Sequence, residues 1–184
     1  SQHPKVLDKK ISFFDAPVSG GEVGAVNGAL SIMLGGPKKK LMQINNLMQS
    51  YAKNIVHIGP SGHGQLTKMV NQLCIASLIQ GLSEGINLGK KSNLNMKRVL
   101  EAISGGAAQS WQMDNRFKTM VSDQFNFGFA VDLMIKDLNI ALKQSNKLGI
   151  KAPSSKSALL NYKKLSTLGD GGLDTSSLIK LLEK

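Results

Sequence analysis

The sequence holds one cysteine, Cys74, in 184 residues. No disulfide can close within the chain, which excludes a disulfide-stapled scaffold. Cys74 lies in the apolar run Leu73 to Ile79 and reads as a small buried hydrophobe, in keeping with a reducing, cytoplasmic setting. No apolar run approaches the ~20 residues of a membrane-spanning helix. The polar opening residues carry no signal-peptide pattern. A start at Ser1 rather than Met points to processing, a trimmed tag or a chain that begins upstream. Aromatic residues make up only 5%. The Gly-x-Gly-x-x-Gly turn that follows the first strand of a dinucleotide-binding fold is absent, because Gly62-His-Gly64 has no third glycine at the right spacing. There is no Gly-x-Ser-x-Gly elbow, so serine-hydrolase chemistry has no support. His57 and His63 lack cysteine or carboxylate neighbours at ligand spacing, so no metal site is expected. His57, among Ile55, Val56 and Ile58, reads as structural.

Hydrophobic residues make up 41%, enough for a sizeable core. The net charge is +11, from 23 basic and 12 acidic residues. Such an excess raises the question of nucleic acid. The basic clusters (Lys38-Lys39-Lys40, Lys90-Lys91, Lys163-Lys164) are spread along the chain, with no aromatics between them. A solvated surface is the plainer reading, and attraction of anionic substrates or phosphorylated cofactors is compatible with it.

Along the chain, Ile11 to Phe14 reads as a short strand closed by Pro17. Val18 to Gly28 reads as a glycine-rich loop. Ala29 to Gly36 is a second strand, Pro37 opens a helix to about Tyr51, and Asn54 to Ile58 is a third strand. Three strands are half of what a doubly wound sheet needs. The expectation is therefore an α/β remnant of a Rossmann-type domain over 1–59, followed by an all-α domain over 60–184, as the C-terminal part of a larger protein. From Gln65 to about Gly89 the pattern is apolar nearly all round, as in a helix buried on every side. Gly81, Gly85 and Gly89, four apart, would give it a bare face. Five further helices follow: 96–103 capped by Asn95, 110–121, 130–148, 153–168, and a last one capped by Asp174. Trp111 and the cluster Phe125, Phe127 and Phe129 read as packing.

The candidate chemistry centres on the turn Gly59 to Gly64 and the helix it opens. Lys68 and Asn71, three apart, share a face of that helix, and Gln72 is four from Lys68. A lysine emerging from an apolar helix faces solvent or a polar cavity. In a cavity, desolvation lowers its pKa towards neutrality, where it can exchange protons. Ser19-Gly20-Gly21 offers backbone N–H groups and a hydroxyl that suit a carboxylate or phosphate. Its alternative is a tight turn that needs glycine for its angles. Glu84 sits deep in the apolar helix, facing either a neighbouring helix end or solvent. Lys136-Asp137 sits mid-helix, where an exposed pair is the simple reading.

Three segments together resemble one family. Asp15-Ala-Pro-Val-Ser-Gly-Gly-Glu-Val-Gly-Ala-Val-Asn-Gly28 is similar to the substrate-binding signature of the β-hydroxyacid dehydrogenases. That group includes 3-hydroxyisobutyrate dehydrogenase and tartronate semialdehyde reductase, with 6-phosphogluconate dehydrogenase more distant. Gly62-x-Gly64-x-x-x-Lys68-x-x-Asn71 resembles the catalytic motif, and Ile135-Lys-Asp-Leu138 resembles the cofactor-side motif. The resemblance implies a helical domain like the C-terminal one of 6-phosphogluconate dehydrogenase. It implies Lys68 as general acid/base, with Ser19, Gly20 and Gly21 on the substrate carboxylate and Asn71 orienting substrate. Lys136 would lie near NAD or NADP. The implied reaction is hydride transfer between NAD(P) and a small 3-hydroxy acid or semialdehyde. The implied assembly is a homodimer or homotetramer through the long central helix. The dinucleotide fingerprint that the family carries is missing, so the fragment alone is expected to be inactive. A non-catalytic oligomerisation or nucleic-acid-interacting module on the same fold would be expected to lack Lys68. A decarboxylating sugar-phosphate dehydrogenase would call for a longer helical domain.

Overall fold

The computed structural model describes residues 11–182, which fall into two compact units parting between Asn71 and Gln72. The first unit holds a three-stranded sheet. Its strands are β1 (Val18–Ser19), β2 (Leu30–Gly35) and β3 (Ala52–Gly59), in the order β1-β2-β3. β2 and β3 are parallel, with α2 (Leu41–Met48) between them in sequence. Parallel neighbours cannot be joined by a hairpin, so a crossover helix is the expected connection. Leu30, Ile32 and Leu34 alternate into the core with Met48 and Ala52. Ile44 and Ile55 pack against that cluster.

The sheet differs from expectation at its start. Residues 11–14 form no strand; instead Asp15 makes an isolated antiparallel bridge to Gly35. Pro17 has no N–H, so the edge continues only through its carbonyl, which accepts from Met33 N–H at 3.0 Å. Pairing resumes at Val18 and Ser19, opposite Ile32 and Ser31. The segment expected to be a loop contains a short helix, α1 (Gly21–Val26). Glycine's poor helix propensity concealed it. Its buried Gly24 lies close against Leu30, where a Cβ would come within 3.3 Å of the Leu30 side chain. The helix expected from Pro37 is divided into a 3₁₀ turn, Lys38–Lys40, and α2.

The long helix α3 (His63–Lys91) runs through the point where the units part. The second unit is helical: α4 (Met96–Ile103), α5 (Trp111–Val121), α6 (Val131–Lys147), α7 (Pro153–Leu165) and a closing 3₁₀ helix (Thr175–Leu181). Asn95 and Ser110 cap α4 and α5 by accepting from Arg98 and Met113 N–H. Asp174 caps the closing helix through Ser176 N–H. α7 ends at Leu165, and a π turn (Ser166–Asp170) carries the chain on to a left-handed Gly169. Ala76, Ile79, Val131, Met134, Leu138, Tyr162, Leu165 and Leu178 form one core cluster. Ile86, Met113, Phe117, Met120 and Phe125 belong to another.

Three packing expectations fail here. α3 is not covered on all sides within the chain. Leu66, Val70, Cys74, Leu78 and Leu88 are exposed, Val70 at 61% and Leu88 at 70%. The first four recur every four residues, and Gly81 and Gly85 bridge the interval from Leu78 to Leu88 in steps of three and four, so together they line one stripe. Cys74 is accordingly on the surface. Trp111 is 59% exposed and Phe127 is exposed as well, whereas Phe125 is buried and Phe129 packs against the core. The two outer rings flank the Arg116 guanidinium at 5.0 and 4.9 Å. Cation–π stacking gives them a role that an apolar core would not.

Candidate active site

Five of the six expected site residues belong to the first unit. Ser19 ends β1, opposite Ser31. Gly20 and Gly21 follow with φ of +127° and +62°. Nothing lies within 4 Å of a Cβ built on Gly21, so glycine is needed there for its backbone angle rather than for space. Gly20 O accepts Gly24 N–H at 3.0 Å, which turns the chain into α1. Lys68 and Asn71 are both half-buried on the first turns of α3.

The start of α3 is held by a residue that sequence reasoning quoted but did not single out. Asp15, 7% exposed, accepts Gly62 N–H on Oδ1 at 2.6 Å and Gln65 N–H on Oδ2 at 2.8 Å. The Ser61 hydroxyl donates to Phe13 O at 3.0 Å, so three bonds tie the start of α3 to the segment before β1. The signal was available: an aspartate four residues ahead of Ser19, and Gly62, with no side chain to accept a helix N–H, immediately before His63. His57, half-buried, contacts Gly36 O through Nε2 at 2.8 Å, as a structural histidine would. Glu84 is exposed, and its Oε1 accepts from Gln80 at 3.4 Å.

Lys136 is in the second unit, on α6. Its side chain is 62% exposed, and its ammonium lies 3.1 Å from Asp137 Oδ1. Asp137 Oδ2 accepts from the buried Gln72 amide at 2.8 Å. Asp137 is thereby held from both sides, a link that spacing alone did not reveal. Among the described residues no cluster of three His, Cys, Asp or Glu could hold a metal, and no helix is long and apolar enough to cross a membrane.

Comparison with known proteins identifies the family. Residues 62–182 match the family model "NAD-binding of NADP-dependent 3-hydroxyisobutyrate dehydrogenase". Residues 2–59 match "NAD binding domain of 6-phosphogluconate dehydrogenase". An uncharacterized oxidoreductase of Shewanella frigidimarina is 47% identical, over 95% of this chain and 60% of its own length. The 2-hydroxy-3-oxopropionate reductase of Escherichia coli is 36% identical, over 93% of this chain and 59% of its own. A solved 3-hydroxyisobutyrate dehydrogenase of Mycobacterium tuberculosis, with L-serine, superposes with a TM-score of 0.86 at 29% identity, covering 93% of this chain and 61% of that one. The chain belongs to the β-hydroxyacid dehydrogenase family, related to 3-hydroxyisobutyrate dehydrogenase. It spans about three-fifths of the length of these relatives.

Proposed function

We propose that the complete protein is an NAD(P)-dependent oxidoreductase acting on a small 3-hydroxy acid or its semialdehyde, of the 3-hydroxyisobutyrate or tartronate semialdehyde type. Residues 1–59 are the remnant of the dinucleotide-binding domain and also carry the Ser19-Gly20-Gly21 turn, and 60–184 form the helical substrate and dimerisation domain, which also carries Lys136. The observation that carries this reading is Lys68, half-buried at the start of α3, in the same unit as the Ser19-Gly20-Gly21 turn. The N–H groups of Gly20 and Gly21 and the Ser19 hydroxyl hold the substrate carboxylate, and the Asn71 amide orients the reacting oxygen. In oxidation Lys68 takes the hydroxyl proton. In reduction its ammonium stabilises the developing alkoxide and then protonates it. The nicotinamide dinucleotide, when bound, accepts or supplies the hydride. Lys136 fits that cofactor: its exposed ammonium, steadied by Asp137, suits a group rich in phosphate. The aqueous chemistry and single thiol suit a cytoplasmic enzyme.

The test is turnover of 3-hydroxyisobutyrate and reduction of tartronate semialdehyde with either cofactor, in the complete protein and its Lys68→Ala variant. The expected result is a loss of kcat of at least ~10²-fold, in line with removal of a general acid/base, with an unchanged circular dichroism spectrum. Wild-type rates in the variant would remove Lys68 from the mechanism.

The uncovered stripe on α3 supports a second element of the reading, a homodimer or homotetramer in which the helices of two copies meet along it. Nothing lies within 4 Å of a Cβ built on Gly81 or Gly85, which leaves room for a close helix approach. Val70→Lys should lower the sedimentation coefficient to that of a smaller species at micromolar concentration. An unchanged coefficient in a multimeric wild type would move the interface elsewhere.

A further inference from the structure

We infer that Asp15 is a positioning residue for Lys68: its buried carboxylate fixes where α3 begins and therefore where the lysine emerges. This rests on the catalytic reading of Lys68 given above. A helix start usually finds its cap in the residue just before it. Here Gly62 has no side chain, and the Ser61 hydroxyl is turned away to Phe13 O. The cap comes instead from 47 and 50 residues earlier in the sequence, with one carboxylate oxygen on each of two backbone N–H groups. Lys68 follows Gln65, one of those two donors, by three residues, about one turn of helix.

The fit around Asp15 is tight at both Gly35 and Gly64. Asp15 and Gly35 exchange both backbone hydrogen bonds, N–H to O, at 3.0 and 2.8 Å. A Cβ on Gly35 would overlap Asp15 Oδ1, and one on Gly64 would overlap Met33 O and crowd the Asp15 carbonyl oxygen and Oδ2. The end of β2, the Asp15 carboxylate and the first turn of α3 thus meet with no space for any side chain beyond that carboxylate. The same residue lies four before Ser19. After one bridge to β2 and Pro17, the chain enters the Ser19-Gly20-Gly21 turn. Asp15 therefore ties the lysine-bearing helix and the carboxylate-binding turn to one fixed point on the sheet. A charged acceptor suits this post, because ionised acceptors make the shorter and stronger bonds to backbone N–H, and the positive end of the helix dipole favours a negative group.

The experiment compares the chain with Asp15→Asn, which keeps the shape but replaces one acceptor by a donor. Two readouts are taken by NMR on the 184-residue protein with ¹³Cε-labelled lysine. The first is amide exchange at Gly62 and Gln65. The second is the Lys68 ε-signal, identified by its loss in Lys68→Arg. The expected result is exchange roughly tenfold faster at those two amides, the scale of a lost cap, together with a displaced or broadened Lys68 signal, while the amides of β2 and the signal of Lys53 stay in place. Asp15→Ser, which restores one short acceptor, should recover part of both effects and serves if Asp15→Asn does not fold. Faster exchange with an unmoved Lys68 signal makes Asp15 a structural cap only and overturns the inference. So does no change in either readout, or failure of both variants to fold. Neither readout depends on turnover, so loss of the catalytic reading through Lys68→Ala would be seen separately.

Discussion

Each unit of the molecule buries one aspartate at the start of a helix, and the two are satisfied in opposite ways. Asp15 in the first unit is served by backbone N–H groups, brought from a distant stretch of chain. Asp174 in the second unit, 1% exposed, caps its own 3₁₀ helix through Ser176 N–H at 3.0 Å and the Ser176 hydroxyl at 2.5 Å. It also accepts Phe129 N–H at 2.9 Å and pairs with the Arg116 Nε at 3.1 Å. Arg116 is in turn stacked between Trp111 and Phe127. Neutral donors around Asp15 leave nothing charged behind if the acid is removed. Removing Asp174 strands a largely buried guanidinium. The same residue type thus governs local placement in one unit and the integrity of the fold in the other.

The sharpest way to break this contrast is Asp174→Ala. It should cost about 3–5 kcal/mol, the range for removing one partner of a buried ion pair. The thermal midpoint should fall by roughly 6–20 °C. Asp15→Asn should cost less, about 1–2 kcal/mol, since hydrogen bonds to neutral donors are lost and no buried charge is stranded. Equal losses in thermal unfolding would erase the distinction drawn between the two acids.

A smaller effect sharpens the account of the second unit. Tyr162 is fully buried in the core cluster. Its phenol pKa is pushed well above the usual value, first by burial and then by the Asp174 charge, with Thr175 acting slightly the other way. Thr175 lies near enough to exert that pull, but the hydroxyl completes no hydrogen bond among the described residues. A raised folded-state pKa means that the neutral phenol's contribution is fully present below the unfolded value near 10. It is then lost progressively as pH rises towards the folded value, at up to about 1.4 kcal/mol per pH unit. Stability should therefore fall above about pH 10. Tyr162→Phe should flatten that part of the profile while changing stability at pH 7 by less than about 1 kcal/mol. A variant as alkali-sensitive as the parent would place the titrating group elsewhere.

Much of the helical unit was legible in advance because its signals are local. Asn95, Ser110 and Asp174 stand at helix starts and cap them, and Val131, Met134, Leu138 and Ala141 recur on the buried face of α6. The α/β unit was less legible. Its first pairing reduces to one bridge at Asp15, broken by Pro17, and α1 is built over glycines that argue against a helix. The site divides in the same way. Lys68, Asn71, Lys136 and the Ser19-Gly20-Gly21 turn were chosen from side-chain chemistry and motif resemblance. Asp15 was not, since its importance lies in two bonds spanning 47 and 50 residues of chain.

The sequence by itself determined the helices after residue 63, the two longer strands, the absence of an internal disulfide and the resemblance that led to the family. Each is written in neighbouring residues, as a cap, a period or a motif. Only the tertiary structure decided which side of the long apolar helix is core and which is left uncovered. Ala76, Ile79 and Ile86 turn inward, while Val70, Cys74 and Leu88 face outward. Only the tertiary structure decided, too, that an aspartate before the first strand closes the start of that helix. Hydrophobic pattern records that a residue is apolar, not which surface will meet it. A hydrogen bond between distant segments exists only once the chain has folded to bring its donor and acceptor together.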